Sequence, residues 1–332
     1  MSVALALVWL WGSLAAWCGQ EPAVDHRQQG HDHFYNLEYD AAIRQYSQLI
    51  ERNPEDLMAY NQLAAAYLFQ ELLRLGMLES SALRGDNQFL GQKRPNPDPQ
   101  ARARFEAALQ HGSRRADAAL ARDPRNQLAL YALGTNYALR GNYEFMVEKA
   151  WFAALRRGSK ARDYCDKLRK LNPGFVDAYL VLGVHEYVVG SLPLPVKILA
   201  AVGGLSGNKQ KGEQYVTRVS REGVHARHDA RILLVVLYRR EKRPLDAARL
   251  LEGLIADFPR NYVLGLELAA MHTDAGQLDR ALAAYKGLLE KSSNSYPGYH
   301  RLPREAVQRR IAELETRLGE RAKGKDQAGE SR

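Results

Sequence analysis

Cysteine is scarce in this sequence. Of its 332 residues only two are cysteine, Cys18 and Cys165. Cys18 lies at the end of an apolar N-terminal stretch that we expect to be removed, which would leave Cys165 alone. A single thiol cannot form an internal disulfide, so we expect packing alone to hold the fold. Cys165 is then predicted to be a buried small hydrophobic residue rather than a nucleophile.

Long apolar runs are also few. The stretch VALALVWLWGSLAAW, residues 3–17, is apolar, but a spanning helix needs about 20 such residues. A polar, charged composition begins at Glu21, which is typical of the segment after a secretory signal peptide. We therefore predict a signal peptide over residues 1–19 and an exported protein, periplasmic or secreted. Lipid attachment at Cys18 is the alternative, which Trp17 disfavours because a lipoprotein signal needs a small residue there.

The sequence lacks the motifs of common catalytic and nucleotide-binding sites. In the stretch GSLPLPVKILAAVGGLSGNKQKG, residues 190–212, only three residues separate Gly203 from Gly207, and Gln210 replaces the hydroxyl residue of a phosphate loop. His185-Glu186 is not followed by the second histidine of a zinc-protease helix, and there is no Gly-x-Ser-x-Gly elbow. We therefore expect no metal, no cofactor and no catalytic residue, and hence a protein that is not an enzyme.

The charge balance leaves the partner open. Lys and Arg number 47 against 38 Asp and Glu, a net charge of +9, which favours anionic partners of any kind. The short basic pairs, such as Arg114-Arg115, lie in amphipathic helical patterns, where a solvated helix face explains them. Nucleic acid is disfavoured because an exported chain rarely meets it and no aromatic–basic binding module is visible.

Three stretches share the pattern of a helical hairpin repeat: YDAAIRQYSQLIERNPEDLMAYNQLAAAY (39–67), LGTNYALRGNY (133–143) and LDRALAAYKGLLE (278–290). Their aromatic, Leu, Gly and Ala positions resemble the tetratricopeptide repeat (TPR) and its 34-residue period. Prolines then mark the ends of second helices, at Pro54, Pro124, Pro173 and Pro259. The resemblance implies an all-α, TPR-like helical-hairpin solenoid, a right-handed superhelix, with irregular inserts.

The repeats organise the mature chain. We expect about six hairpins over residues 20–302, with inserts near residues 70–100, 144–160 and 190–207. A closing helix is predicted over residues 303–319. The polar tail, residues 320–332, has too few apolar residues to pack and is predicted to be disordered. The stretches HDHFYNLEYD and LGVHEYVVGSLPLPVKILAAVGGLSGNKQKG resemble exported bacterial TPR proteins of unassigned function.

The apolar insert, from Leu192 to Leu205, must be covered, because exposure of all its apolar side chains would cost on the order of 10 kcal/mol. Two explanations remain open. The insert packs back onto its own solenoid, or it forms a docking surface for a partner protein or a membrane leaflet.

The resemblance also implies a concave groove lined by the first helices of the hairpins, which binds peptides. The Lys, Asn and Arg of the family's terminal-carboxylate clamp are not at the corresponding positions, which leaves an apolar, aromatic groove. The residues predicted to contact a partner are Asn61, Phe69, Tyr131, Asp177, Tyr187, Leu192, Leu194, Arg239 and Arg240. We thus predict a non-enzymatic protein–protein interaction scaffold of the bacterial cell envelope. The alternative is a lipid or membrane-surface binding protein that uses the apolar insert and the basic surface.

Overall fold

The computed structural model describes residues 25–78, 96–194, 197 and 206–330. These residues form thirteen α-helices and no strand. The helices are α1 His26–Tyr35, α2 Tyr39–Arg52, α3 Leu57–Arg74, α4 Pro99–Arg122, α5 Gln127–Met146, α6 Trp151–Leu171, α7 Ala178–Gly190, α8 Lys209–Glu222, α9 Arg227–Arg240, α10 Pro244–Asp257, α11 Tyr262–Asp274, α12 Leu278–Ser293 and α13 Arg304–Glu330.

Each helix packs against the next one along the chain, so that α1 to α12 form six hairpins and α13 packs on α12. The first helices also meet their counterparts in the next hairpin, since α3 contacts α5 and α5 contacts α7. Stacked hairpins of this kind bury a continuous core that none could bury alone. The predicted all-α solenoid of TPR-like hairpins is confirmed.

A short sequence pattern separates one hairpin from the next. Pro54, Pro124 and Pro259 each follow a second helix by two residues, where the missing amide hydrogen costs nothing. Two positions later stand Asp56, Asn126 and Asn261, whose side chains accept hydrogen bonds from the first amides of α3, α5 and α11. Proline thus ends one helix and a capping side chain starts the next.

Within the hairpins, most turns use a left-handed residue. Gly76 and Gly276 have φ of 68° and 71°, as expected for glycine, but Leu37, Lys149 and Lys242 occupy the same region in other turns. Only glycine adopts this conformation without steric cost. The turn positions were therefore harder to recognise in the sequence than the proline positions.

Close packing of α5 against α6 buries the side chain of Cys165. Its side chain is fully buried, and a Cβ atom added at Gly134 of α5 would lie 2.5 Å from its Sγ atom. Burial raises the pKa of the Cys165 thiol to about 12, so the group stays protonated. The prediction of a buried, unreactive cysteine is consistent with this environment.

The insert expected near residues 144–160 takes the form of longer helices. Residues 147–150 form a short turn between α5 and α6, and these helices have 20 and 21 residues, against 14 in α2. One prediction differs from the structure: the tail predicted to be disordered from residue 320 continues α13 as far as Glu330, because Ala, Arg, Lys, Gln and Glu favour helix even where few apolar residues are present.

Other predictions concern residues outside the described ranges. The signal peptide over residues 1–19 lies wholly outside them, and the inserts near 70–100 and 190–207 lie partly outside them. Just after the insert near residues 190–207, Asn208 caps α8 by accepting a hydrogen bond from the amide of Lys211 at 2.9 Å. Among the described helices, none is long and apolar enough to cross a membrane.

Candidate functional site

The first hairpin contacts the fifth and sixth hairpins through side chains. Tyr35, at the end of α1, is buried and its ring stacks on Phe258 with centroids 4.8 Å apart. Its hydroxyl donates to Asp229 Oδ1 at 2.8 Å, and its carbonyl oxygen accepts from Asn261 Nδ2 at 2.7 Å. About 200 residues of chain separate these partners. The two ends of the solenoid therefore meet at this point.

Arg260 adds an ion-pair network to the same contact. Its guanidinium donates to Glu38 Oε1 at 2.7 Å and to Asp32 Oδ2 at 2.6 Å, and its backbone amide donates to Asn36 Oδ1 at 3.0 Å. Burial alone would raise the pKa of Glu38, but hydrogen bonds from Arg260 and His33 lower it below its usual value. Asn36 and Glu38 lie at the turn between α1 and α2, and Asp32 lies in the last turn of α1.

We call this contact the closure; it is formed by Tyr35, Asn36 and Glu38 of the first hairpin with Asp229, Arg260 and Asn261. Beside it, the α1–α2 turn and residues 298–301 border an open pocket of about 250 Å³. The closure places the first hairpin against the N-terminal ends of α9 and α11.

Burial controls the ionisation of two groups near the closure. Desolvation by the packed neighbours raises the pKa of Asp229 to about 6, the charge of Asp177 adds to this effect, and the hydrogen bond from Tyr35 opposes it, although part of the residue is open to solvent. Burial and the nearby Arg27 lower the pKa of His31 to about 4. His31 is therefore neutral near pH 7, and its Nε2 atom shares a 2.8 Å hydrogen bond with Gln62.

Several residues predicted to line the groove are held by the chain itself. Asn61 is 2% exposed and donates to the carbonyl oxygen of Ala132 at 2.8 Å. Asp177 accepts hydrogen bonds from the amides of residues 224, 225 and 226, just before α9. The Tyr187 hydroxyl donates to Glu241. Each of these side chains stabilises contacts between hairpins.

The remaining groove predictions are similarly placed. Tyr131 is 4% exposed, and its ring lies against Phe175 and His225. Phe69 packs edge-on against Phe34 of α1 with centroids 5.3 Å apart. Arg239 pairs with Glu267 and Asp274, whereas Arg240 is exposed and lies over the Tyr187 ring. Binding of a partner at these residues stays a prediction, and in this conformation it would require most of them to leave their present contacts.

Large apolar side chains are exposed on another part of the molecule. Phe152 is 82% exposed and Leu194 71% exposed, and Leu155 and Val188 are each 43% exposed. We call these four residues the α6–α7 patch. They share one end of a helix pair, since His185 of α7 lies near Arg162 and Asp163 of α6, and the start of α6 therefore adjoins the end of α7. Leu192, the other predicted insert residue, is only partly exposed.

The local sequence explains why Phe152 and Leu155 point outward. The buried residues of α6 are Ala161, Cys165 and Leu168, which follow helical spacing and face α5. Phe152 and Leu155 lie three residues apart on a different face. Neither residue was predicted from the sequence to be exposed, although both depart from the helical spacing of Ala161, Cys165 and Leu168. Among the described residues, no group of three His, Cys, Asp or Glu side chains could hold a metal ion.

Taken together, the stacked hairpins define an α-solenoid. Two tetratricopeptide-repeat family models match the sequence, one over residues 27–73 and the other over residues 238–305. The first match covers most of α1 to α3, and the second runs from the end of α9 to the start of α13. The chain is a tetratricopeptide-repeat protein.

Two solved structures are similar to this chain. One is a thermophilic TPR protein from Thermus thermophilus, with 16% identity, a TM-score of 0.39, and coverage of 74% of this chain and 96% of that chain. The other is yeast Tom70, with 10% identity, a TM-score of 0.26, and 88% of each chain covered. At such TM-scores neither structure informs the site or the partner. A comparison with curated proteins found no match.

Proposed function

We propose that this chain is a non-enzymatic scaffold that binds a partner protein through the α6–α7 patch. Tetratricopeptide repeats suggest a role in protein–protein interaction. We choose the α6–α7 patch as the binding surface because its apolar side chains are exposed to solvent. The predicted groove residues Asn61, Tyr131, Asp177 and Tyr187 are buried, whereas Phe152 and Leu194 are mostly exposed.

The chemistry of the patch suggests the kind of partner. Fully burying one large apolar side chain contributes about 1.5–3 kcal/mol, and aromatic residues are enriched among the side chains that dominate binding energy. Arg156 and Lys160 are exposed on α6 beside Phe152 and Leu155. A partner segment with apolar side chains flanked by acidic ones would complement both features.

We also propose that the scaffold acts in the bacterial cell envelope. The support is the apolar stretch of residues 3–17, which has the length and composition of an export signal. The fold itself is neutral on this point.

A membrane surface is the second candidate partner. Exposed Phe152 and Leu194 with nearby Arg156 and Lys160 form the combination of apolar and basic side chains that favours anionic lipid. Because the same surface serves both proposals, the experiment must identify what it contacts.

Photo-crosslinking tests the proposal directly. A benzoylphenylalanine probe replaces Phe152 in one variant and, as a matched control, Val224 in another, since Val224 is 80% exposed but lies between α8 and α9. In native envelopes we expect one discrete protein adduct at position 152 that is absent at position 224. The adduct should disappear when Leu155→Asp or Val188→Asp is added to the probe variant.

Two other outcomes are informative. Lipid adducts alone at position 152, together with flotation of the purified chain on anionic vesicles, would favour the membrane candidate. Equal labelling at positions 152 and 224 would contradict both proposals, because the patch would then behave like any exposed surface.

A further inference from the structure

A basic pocket lies between α4 and the loop that joins α2 to α3. Its volume is about 270 Å³, and the described residues that line it are Glu55, His111, Arg114, Arg115, Ala118 and Arg122. None of these residues belongs to the closure or to the α6–α7 patch. The pocket therefore calls for an explanation of its own.

The helical spacing of α4 builds the pocket. His111, Arg115, Ala118 and Arg122 follow one another at intervals of three or four residues, which places them along a single helix face. Ala118 stands in the middle of this row. Its short side chain leaves open the space around which the longer side chains are arranged.

The ring of Tyr60 in α3 helps to position Arg115. A Cβ atom at Gly112 would lie 2.8 Å from Tyr60 Cβ, so glycine allows α4 to approach the Tyr60 side chain closely. The Tyr60 hydroxyl donates to the carbonyl oxygen of Pro54 at 3.1 Å, which fixes the ring. The Arg115 guanidinium carbon lies 5.7 Å from the centroid of that ring, within the range of a cation–π contact.

The charges in the pocket are unbalanced. The Glu55 carboxylate pairs with Arg115 and lies 4.0 Å from Arg122. Arg114 donates to the neutral Oε1 atom of Gln110 at 3.2 Å, and Arg122 Nε donates to the carbonyl oxygen of Ala118 at 3.3 Å. Among the lining residues, three guanidinium groups thus face a single carboxylate.

We propose that this pocket binds a phosphate-bearing anion, with the Glu55 carboxylate occupying in this structure the place of some of the ligand's oxygens. Guanidinium groups match phosphate geometry through paired hydrogen bonds. Phosphate carries more charge than one carboxylate and offers three strong acceptor oxygens, which suits three arginines better than Glu55 does. The ligand could be a free phosphate compound or a phospholipid head group, which share this chemistry.

The first experiment is titration of the full chain with inorganic pyrophosphate by calorimetry. We expect saturable binding that weakens at least about tenfold in the double variant Arg114→Ala/Arg122→Ala, since each arginine supplies charge-assisted hydrogen bonds. Glu55→Gln should strengthen binding about threefold or more, because it removes the internal competitor and one repulsive charge.

Matched variants control for net charge. Arg249→Ala removes a guanidinium that is 77% exposed and pairs with Asp246, and Glu222→Gln removes a carboxylate that is 55% exposed and pairs with Arg218. Both should leave the affinity for pyrophosphate within about twofold. Thermal melting of every variant should match that of the original chain, which separates loss of the site from loss of the fold.

A second arm distinguishes the two sources of phosphate. Sedimentation with phosphatidylglycerol vesicles, against phosphatidylcholine vesicles, should show the same order of variants if the ligand is a lipid head group. Binding of either probe with this order supports the proposal. Equal binding by the double variant and by Arg249→Ala, or no binding of either probe, would overturn it. Pyrophosphate binding does not involve Phe152, and in the vesicle arm the order of the arginine variants, not the total amount bound, is the readout, so the test is independent of the scaffold proposal.

Discussion

The closure and the α6–α7 patch both contain aromatic residues with charged residues nearby, but these side chains are packed in the closure and exposed in the patch. At the closure, Tyr35 and Phe258 are less than 10% exposed, and the polar atoms of Asp229 and Arg260 meet matched partners. In the patch, Phe152 and Leu194 are more than 70% exposed. Aromatic and charged residues therefore do not mark a binding surface by their type. The two regions differ in whether their side chains already contact other residues of the chain.

Removal of Tyr35 should have the largest effect on stability. Tyr35→Ala deletes a buried ring, removes the hydrogen bond to Asp229 and removes the stacking on Phe258, so we expect a loss of about 3–5 kcal/mol in the free energy of unfolding. Phe152→Ala, the matched variant in the patch, should change it by less than about 0.5 kcal/mol. Urea denaturation measures both. Similar losses of unfolding free energy in the two variants would contradict the difference between the closure and the patch.

Asp229 should give the closure a dependence on pH. Its pKa in the folded chain is about 6, above the value of about 3.9 in an unfolded chain. The folded state therefore holds the proton more tightly. Its contribution to stability is fully present below about pH 4 and is lost as the pH rises through about 6.

The Asp229 side chain is partly open to solvent, so screening by water reduces the effect below the full value that the pKa shift implies. We therefore expect Asp229→Asn to abolish a loss of at most about 2 kcal/mol between pH 4 and pH 7. Unfolding curves at several pH values, compared with those of the exposed control Asp279→Asn, measure this difference. If Asp229→Asn and the parent chain lose the same stability over that interval, Asp229 does not titrate with a raised pKa.

Arg260 should have the smallest effect of the three closure residues. Arg260→Ala leaves Glu38 and Asp32 facing each other at a partly solvated site, and we expect a loss of about 1–2 kcal/mol. The loss should shrink at high salt, because ions screen charges that water reaches. Arg249→Ala, which removes one surface ion pair, should cost about 0.5 kcal/mol or less. A loss at Arg260 no larger than this would show that the ion-pair network contributes little.

The repeating parts of the fold could be predicted from the sequence because their signals are local. Pro54 and Asp56, or Pro259 and Asn261, lie two residues apart and mark one hairpin boundary each. The turns at Leu37, Lys149 and Lys242 gave no such signal, since left-handed backbone usually selects glycine. Extension of α13 past residue 320 was missed because helix propensity, rather than apolar content, supports that segment.

The closure could not be predicted from the sequence. Tyr35 and Asp229 are 194 residues apart, and their contact depends on the accumulated curvature of the intervening hairpins. Assignment of Tyr131 and Tyr187 to an open groove followed from the repeat register alone, which does not contain that curvature. Exposure of Phe152, by contrast, could have been inferred from its position outside the buried stripe of α6.

The distance between the two ends of the solenoid tests the central claim most directly. Arg44 and Arg301 are exposed and border the same pocket beside the closure, and spin labels attached after Arg44→Cys and Arg301→Cys, with both native cysteines replaced, report their separation. The closed solenoid predicts one narrow population at short distance in solution. A broad distribution at long distance would contradict it.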